Sequence, residues 1–244
     1  MKIMKGKTEE ETYPEFITEN RESRLETYFL DEQVRPFFVI CPGGGYKKLS
    51  YQKEGQRIKE WLGQLGYHSG IFCYPLNDIY PETYLKEIQE TLNWLKEDKR
   101  ISNVFVIGFS SGSHTAGLFG TSLANRPDGL ILSYPVVTLT APIAHKGCQE
   151  TFLHHVKPTE QEQYSLENRI DSQTPPVFLW STWNDPAVPI QNSLLLLDCL
   201  NHAGVSCESH LFPDGPHGLG LAQQEEAISI WPTLAEKWIS QQVK

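Results

Sequence analysis

The sequence predicts an α/β domain whose mostly parallel central sheet carries helices on both faces. Three observations lead there. Short apolar runs rich in β-branched and aromatic residues, at 36–41, 67–74, 103–107, 129–135 and 177–182, read as strands buried on both sides. Between several of them lie stretches with apolar residues at helical spacing, such as Leu85, Ile88, Leu92 and Leu95. Strand and helix alternate at the lengths of βαβ units, and 244 residues suffice for one such domain with a sizeable core.

Taken in order, residues 1–22 are polar and irregular and are expected to form an N-terminal arm laid over a body spanning 23–244. Arg24 to Leu30 alternates as a strand, and Asp31-Glu32-Gln33 makes a turn. Pro36 to Cys41 is a continuous apolar strand. Ser50 can cap a helix running to about Leu65, with Ile58, Trp61, Leu62 and Leu65 on one face and Gly66 ending it. Tyr67 to Tyr74 is the next strand and Thr83 to Lys96 the next helix. The strand 103–107, a helix from Ser111 to Leu123 and a strand from Gly129 to Pro135 follow. Val136 to Thr174 breaks the rhythm. It is polar, and roughly forty residues exceed a plain connection, so a short cap insertion over the strand ends is expected. Pro175-Pro176 restart the sheet at 177–182. Ile190 to Ala203 is a helix, Val205 to Phe212 a strand, and Gln223 to Gln241 a closing helix.

A net charge of −9 argues against a nucleic-acid or anionic-membrane partner, since both call for a basic face. No apolar run approaches the ~18 residues of a membrane span. The basic start, Met1 to Lys7, is followed by Thr8-Glu9-Glu10-Glu11 rather than an apolar stretch, so no signal peptide is expected. The five cysteines, at 41, 73, 148, 199 and 207, form no Cys-x-x-Cys pair and read as free thiols of a reducing cytoplasm.

The chemistry centres on Gly108-Phe109-Ser110-Ser111-Gly112, set between a buried strand and a helix. A Gly-x-Ser-x-Gly in that context is the nucleophile elbow of the α/β-hydrolase fold. The turn must be tight, and Gly108 and Gly112 remove Cβ atoms that would clash. The Ser111 N–H, at the helix start, points toward a reacting carbonyl. Pro42-Gly43-Gly44-Gly45-Tyr46 directly follows another buried strand. Three glycines there suit a backbone that a ligand approaches closely, and the loop resembles the glycine-rich oxyanion loop of lipases and esterases; the Gly-Lys-Ser/Thr frame of a phosphate loop is missing. Asp185 and His217 each lie just beyond a strand end, which gives the order Ser, Asp, His of that fold. A serine hydroxyl needs a base, and the base needs a carboxylate to hold its tautomer. Asp214 is the rival acid, but Pro213 and Gly215 mark it as a turn residue. His114, one helical turn after Ser110, reads as a packing histidine. His154-His155 lack a carboxylate cluster and read as cap surface or substrate contacts, so no metal is expected. Trp180 reads as a core strand residue, whereas Tyr46 and Trp183 sit beside the site and could line it as substrate contacts, with ordinary packing the equal alternative.

The segments Cys-Pro-Gly-Gly-Gly-Tyr (41–46), Gly-Phe-Ser-Ser-Gly-Ser-His (108–114), Leu-Ser-Tyr-Pro-Val (132–136), Thr-Pro-Pro-Val-Phe-Leu-Trp (174–180) and Phe-Pro-Asp-Gly-Pro-His-Gly-Leu-Gly-Leu (212–221) together resemble the small bacterial esterase and lipase group. That group is often labelled acetyl xylan esterase or sugar-ester hydrolase. The resemblance covers nearly all of the chain from about residue 24. It implies hydrolysis of short acyl esters without cofactor or metal, with oxyanion donors at Gly44, Gly45 and Ser111.

The expected protein is a cytoplasmic serine esterase with Ser110, His217 and Asp185 as its triad. It would act on a small-molecule ester through an acyl-enzyme, with acetyl groups of sugars such as xylo-oligosaccharides the first choice. A non-catalytic ligand-binding protein on the same scaffold and a small serine peptidase are the alternatives. A homodimer stays open.

Overall fold

The computed structural model describes residues 1–6 and 13–243. One sheet of eight strands runs through the molecule in the order β1-β2-β4-β3-β5-β6-β7-β8. The strands are β1 (Lys2–Lys5), β2 (Arg24–Tyr28), β3 (Arg35–Cys41), β4 (His68–Cys73), β5 (Ile101–Phe109), β6 (Gly129–Ser133), β7 (Val177–Thr182) and β8 (Cys207–Phe212). From β4 across to β8 every neighbouring pair is parallel. β2 pairs antiparallel with β4, and β1 adds to β2 in parallel at the edge. The helices are α1 (Arg57–Gln64), α2 (Pro81–Glu97), α3 (Ser111–Gly120), α4 (Lys146–Phe152), α5 (Gln191–His202) and α6 (Trp231–Gln242).

The central strands are apolar throughout because both of their faces are covered. Phe37 to Cys41 and Phe105 to Ile107 are fully buried. α1 and α6 meet through Trp61 and Trp231, whose ring centroids are 5.6 Å apart, and α6 presses Trp238 against Phe105 and Phe178. α2 and α3 pack together against Phe72 by way of Tyr84 and Phe119. The register of β3 on β5 sets up the site. Phe38 pairs with Phe105, Val39 with Val106, Ile40 with Ile107 and Cys41 with Gly108. The glycine-rich loop and the serine elbow therefore leave neighbouring strands at the same level.

Four elements differ from the sequence expectation. Lys2–Lys5 forms an edge strand, with Ile3 against the core, where an irregular arm is expected; residues 7–12 of that arm lie outside the described residues. The stretch after Ser50 opens as a π-helical turn, Tyr51–Gln56, and Ser50 makes no side-chain cap. Its N–H instead donates to the Gly43 carbonyl at 2.8 Å. The elbow helix stops at Gly120 rather than running to Leu123. The closing helix starts at Trp231, not Gln223, with Pro232 in its first turn, where a missing N–H costs nothing.

Inside 136–174 lie α4 and two 3-10 turns, Pro158–Tyr164 and Leu166–Asn168. The apolar groups of the segment point down into the body. Phe152 packs against Tyr46, Tyr84, His114 and Tyr164. Leu166 closes on Gly117, where an added Cβ would meet Leu166 Cδ1 at 2.4 Å. Among the described residues no helix is long and apolar enough to cross a membrane.

His114 is the packing histidine that the sequence suggests. It is fully buried; Nε2–H donates to the Tyr164 carbonyl at 2.8 Å, and Nδ1 accepts from Tyr46 Oη at 2.7 Å. Burial pushes its pKa from 6.5 down to about 4. Unfolded, this imidazole takes up a proton near its ordinary pKa; folded, it resists until about pH 4. Between those values the unfolded chain binds more protons, so acid favours unfolding. Urea unfolding at a series of pH values should show stability falling by about 3 kcal/mol from this group as pH drops from 6.5 to 4. His114→Gln should flatten that part of the profile.

Candidate active site

Ser110 stands where β5 turns into α3. Its φ of 55° and ψ of −119° lie outside the regions that ordinary residues favour. Three backbone hydrogen bonds hold it there: its N–H donates to Ser133 O at 3.0 Å, and its carbonyl accepts from Ser113 N–H at 2.9 Å and from Val136 N–H at 3.2 Å. The turn is so tight that a Cβ on Gly108 would meet Gly112 O at 2.3 Å, and one on Gly112 would meet Cys41 O at 2.0 Å. Ser113 adds a clasp, its Oγ donating to Ser133 O at 3.0 Å. These contacts fix the hydroxyl at the mouth of the strands.

The structure brings Ser110, His217 and Asp185 into one line. His217 Nε2 lies 2.8 Å from Ser110 Oγ, and Nδ1 lies 2.7 Å from Asp185 Oδ2. The other carboxylate oxygen of Asp185 accepts from Ala187 N–H at 2.8 Å and Val188 N–H at 2.9 Å. Burial by itself would raise the Asp185 pKa; the bonds from His217, Val188 and Ala187 outweigh it and leave the carboxyl below its ordinary value. An ionised Asp185 holds the proton of His217 on Nδ1, which leaves Nε2 to accept from the serine. Asp214 is excluded as the acid: its Oδ1 accepts from the N–H of Gly215 at 2.9 Å, as a turn residue does.

The glycine-rich loop needs a correction. Gly45 N–H donates to Ser111 Oγ at 2.9 Å, so it orders the elbow and leaves the oxyanion set. Gly44 and Ser111 remain as the candidate donors. Ser111 occupies the first position of α3, whose N–H has no partner within the helix. Gly44 has a φ of 138° and its carbonyl accepts from both Lys47 and Lys48, which bends the loop around the serine.

Sequence reasoning missed the group that holds this loop. Glu54 is buried beneath it, and its Oε2 accepts from Gly43 N–H at 2.8 Å. Its Oε1 accepts from Tyr134 Oη at 2.6 Å, while Tyr134 Oη itself accepts from Gly220 N–H at 3.0 Å. Burial raises the pKa of both Glu54 and Tyr134. The Tyr134 ring meets the His217 imidazole edge-on, with centroids 4.9 Å apart. One carboxyl thus joins the oxyanion loop to the segment that carries the histidine. A signal for it exists: Glu54 falls on the same helical face as Ile58, Trp61, Leu62 and Leu65, where a lone carboxylate needs partners.

Two expected substrate contacts move. Tyr46 is fully buried and bonded to His114 and Thr115, which makes it a strut behind the loop. Trp183 is 54% exposed and does not line the serine cleft. That open cleft, about 610 Å³, is bounded by Glu15, Phe16 and Thr18 of the N-terminal segment, the lysines beyond the glycine loop, and His145 and Gly147 of the insertion. A larger groove of about 1150 Å³ lies along the β1–β2 edge and holds none of Ser110, Asp185 and His217. His154 and His155 lie elsewhere: His155 stacks on Tyr80 and bonds Asp78 Oδ1 at 2.6 Å. Among the described residues no group of three or more His, Cys, Asp or Glu side chains is gathered as a metal site would need.

Glu54→Ala leaves the Gly43 N–H and the Tyr134 hydroxyl without their acceptor. Each unsatisfied buried donor costs about 1–3 kcal/mol. Thermal melts should show the stability loss. Steady-state kinetics should show kcat falling by roughly 10- to 100-fold, which corresponds to about 1.4–2.7 kcal/mol in the barrier, with KM changing less.

Comparison with known proteins agrees with this architecture. The pattern of the prolyl oligopeptidase family matches residues 78–244. An endo-1,4-beta-xylanase B of Butyrivibrio fibrisolvens is 29% identical over 225 residues, which cover 82% of this chain and 35% of that protein. An acetylxylan esterase of Xylanibacter ruminicola is 29% identical over 195 residues, 75% of this chain and 41% of that protein. The chain therefore spans well under half the length of either relative. A solved acetyl ester-xyloside bifunctional hydrolase from Caldicellulosiruptor lactoaceticus superposes with a TM-score of 0.81 at 33% identity, covering 89% of this chain and 87% of that one. The matched pattern takes in α3, the Asp185 loop and the His217 loop, and the parallel sheet carries them in the order found across α/β hydrolases: this chain has the α/β-hydrolase fold and belongs to the prolyl oligopeptidase family.

Proposed function

We propose that the protein is a serine esterase that removes short acyl groups, acetyl first among them, from hydrated alcohols such as sugars. The observation that carries this reading is the line Asp185–His217–Ser110, with spacings of 2.7 and 2.8 Å, at the floor of an open cleft. His217 Nε2 takes the serine proton as Oγ attacks the ester carbonyl. The oxyanion that forms is held by the N–H groups of Gly44 and Ser111. His217 then protonates the leaving alcohol, and an acyl-Ser110 remains. Water, deprotonated by the same nitrogen, releases the acid and restores the hydroxyl. Asp185 keeps the imidazole turned and stabilises it while it is charged.

Supporting the ester reading are the acetylxylan esterase and the acetyl ester-xyloside hydrolase to which the chain is similar. The cleft lining supports a polar alcohol. Its described residues are Gly, Lys, Ser, Thr, Glu and His, with Phe16 the one large apolar side chain among them. A lipase would present a broad apolar face to a lipid surface. The family name favours a second reading, hydrolysis of peptide bonds. Both reactions use the same triad, so the leaving group decides between them. The five free thiols suit a reducing cytoplasm, where we place the protein.

Ser110→Ala should lower hydrolysis of 4-nitrophenyl acetate by on the order of 10⁴- to 10⁶-fold while circular dichroism stays native. Retained activity in that variant would sink the triad, and hydrolysis of peptide nitroanilides above that of acetates would favour the peptidase. Across 4-nitrophenyl esters from two to twelve carbons, kcat/KM should peak at acetate or propionate. It should drop beyond about four to six carbons, because among the described residues Phe16 is the one large apolar side chain a longer chain could lie against. A maximum at eight carbons or above would refute the short-acyl assignment.

A further inference from the structure

The rim of the serine cleft carries a charge opposite to that of the chain as a whole. The protein has 30 acidic and 21 basic side chains. Yet Lys47, Lys48 and Lys53 all line the cleft that holds Ser110 and His217. All three are exposed, and none takes part in an ion pair among the described residues, although Lys2, Arg24, Arg35, Lys96, Arg100 and Arg126 all do. The backbone forces the convergence. Lys47 and Lys48 leave the glycine loop where their N–H groups bond Gly44 O, and Lys53 stands one residue from the buried Glu54. Two of the ammonium groups are held in place. Lys48 Nζ lies 3.7 Å over the Phe16 ring, and Lys53 Nζ donates to Gly218 O at 3.2 Å, beside the triad histidine.

Among the described residues, two carboxylates line this cleft. Glu54 is buried and engaged by Gly43 and Tyr134, so it faces the loop rather than the opening. Glu15 stands on the rim and offsets one lysine. Asp185 is spent on His217, so among the described residues that line the opening three ammonium groups face one free carboxylate, in a concave site whose low-dielectric walls strengthen the field there.

We propose that the natural ester bears an anionic group, carboxylate or phosphate, on its alcohol part: an acetylated acidic sugar. The inference rests on the short-acyl esterase reading above. An acetyl group has no atom to carry a charge, so the anion must lie on the leaving alcohol. Ammonium groups act as point charges and accept either kind of anion. Lys53, bonded to Gly218 O beside His217, is placed to meet the alcohol as it departs. Lys47 and Lys48 meet groups further along the same sugar.

The test compares kcat/KM for peracetylated glucose, peracetylated glucuronic acid and acetylated glucose 6-phosphate at low and high salt. Exposed ion pairs contribute a few-fold each, so the three lysines together should give about a tenfold preference for an anionic acetate over the neutral one. That preference, measured at about 0.01 M salt, should shrink in about 0.5 M NaCl, where the screening length falls from roughly 30 Å to roughly 4 Å. The salt arm needs no variant. In Lys47→Gln/Lys48→Gln/Lys53→Gln, checked for native circular dichroism, the anionic-to-neutral ratio should approach unity. Preference for the glucuronate alone or for the phosphate alone supports the proposal and names the anion. A wild-type ratio of one or below at low salt overturns it while leaving the esterase in place. A ratio unmoved by both salt and the triple substitution also overturns it. Failure to hydrolyse all three acetates and 4-nitrophenyl acetate would bring down the esterase reading and this inference together.

Discussion

A single methyl group cannot be added where α3 passes the end of β3. At Gly112 the helix backbone sits against the carbonyls of Cys41 and Pro42, and an added Cβ would come within 2.0 Å of the first and 2.6 Å of the second. Everything at the site depends on that approach. It draws the first turn of α3 next to the glycine-rich loop, so that Gly45 N–H can reach Ser111 Oγ at 2.9 Å. It also holds Ser110 in a conformation that an isolated chain would leave. The strain is local, and the register of β3 on β5 sustains it through fully buried ladder pairs such as Phe38 and Phe105, whose rings stack on each other.

The polar network built around this contact is economical in parts and wide in reach. Glu54 serves the loop on one side and Tyr134 on the other, and Tyr134 in turn braces Gly220 and the His217 ring. Trp231 adds the last link, its Nε1–H donating to Gly220 O at 3.1 Å while its ring stacks on Trp180. The histidine loop is thereby referenced to the same core that carries the serine. A base on a long loop can keep hydrogen-bond distance to a nucleophile only if both are tied to one rigid frame. Here that frame is the aromatic layer under β6 and β7.

The segment 136–174 has a different part from a lid. Its large apolar groups are packed against α2 and α3, and its contact with the cleft comes through His145 and Gly147. The opposite wall comes from the N-terminal segment, where Ile17 pairs with Leu49 and the Glu15 carbonyl accepts from Gln52. The cleft is thus shaped by two peripheral pieces of chain docked on a fixed catalytic floor. Such walls can change while the triad keeps its geometry.

Much of the molecule was legible in the amino-acid order. The doubly buried strands announced themselves as unbroken apolar runs, and the elbow was visible because Gly108 and Gly112 flank a serine between a strand and a helix. Ser110, Asp185 and His217 could be named because each follows a strand end, a local property that the chain carries along its length. Other features come from distant segments meeting, and periodicity does not record them. Lys2–Lys5 is polar yet joins the sheet, because β2 presents an open edge. Trp231-Pro232 starts the last helix although helical residues precede it. Tyr46 and Gly45 stand beside the site in sequence, but the turn at Gly44 sends one ring into the core and commits one N–H to Ser111. The acidic balance of the composition, too, says nothing of the three lysines at the cleft. Sequence determined which polar residues stand at the strand ends; tertiary structure decided which of their neighbours face them, because burial and hydrogen-bond partners are set by what the sheet brings alongside.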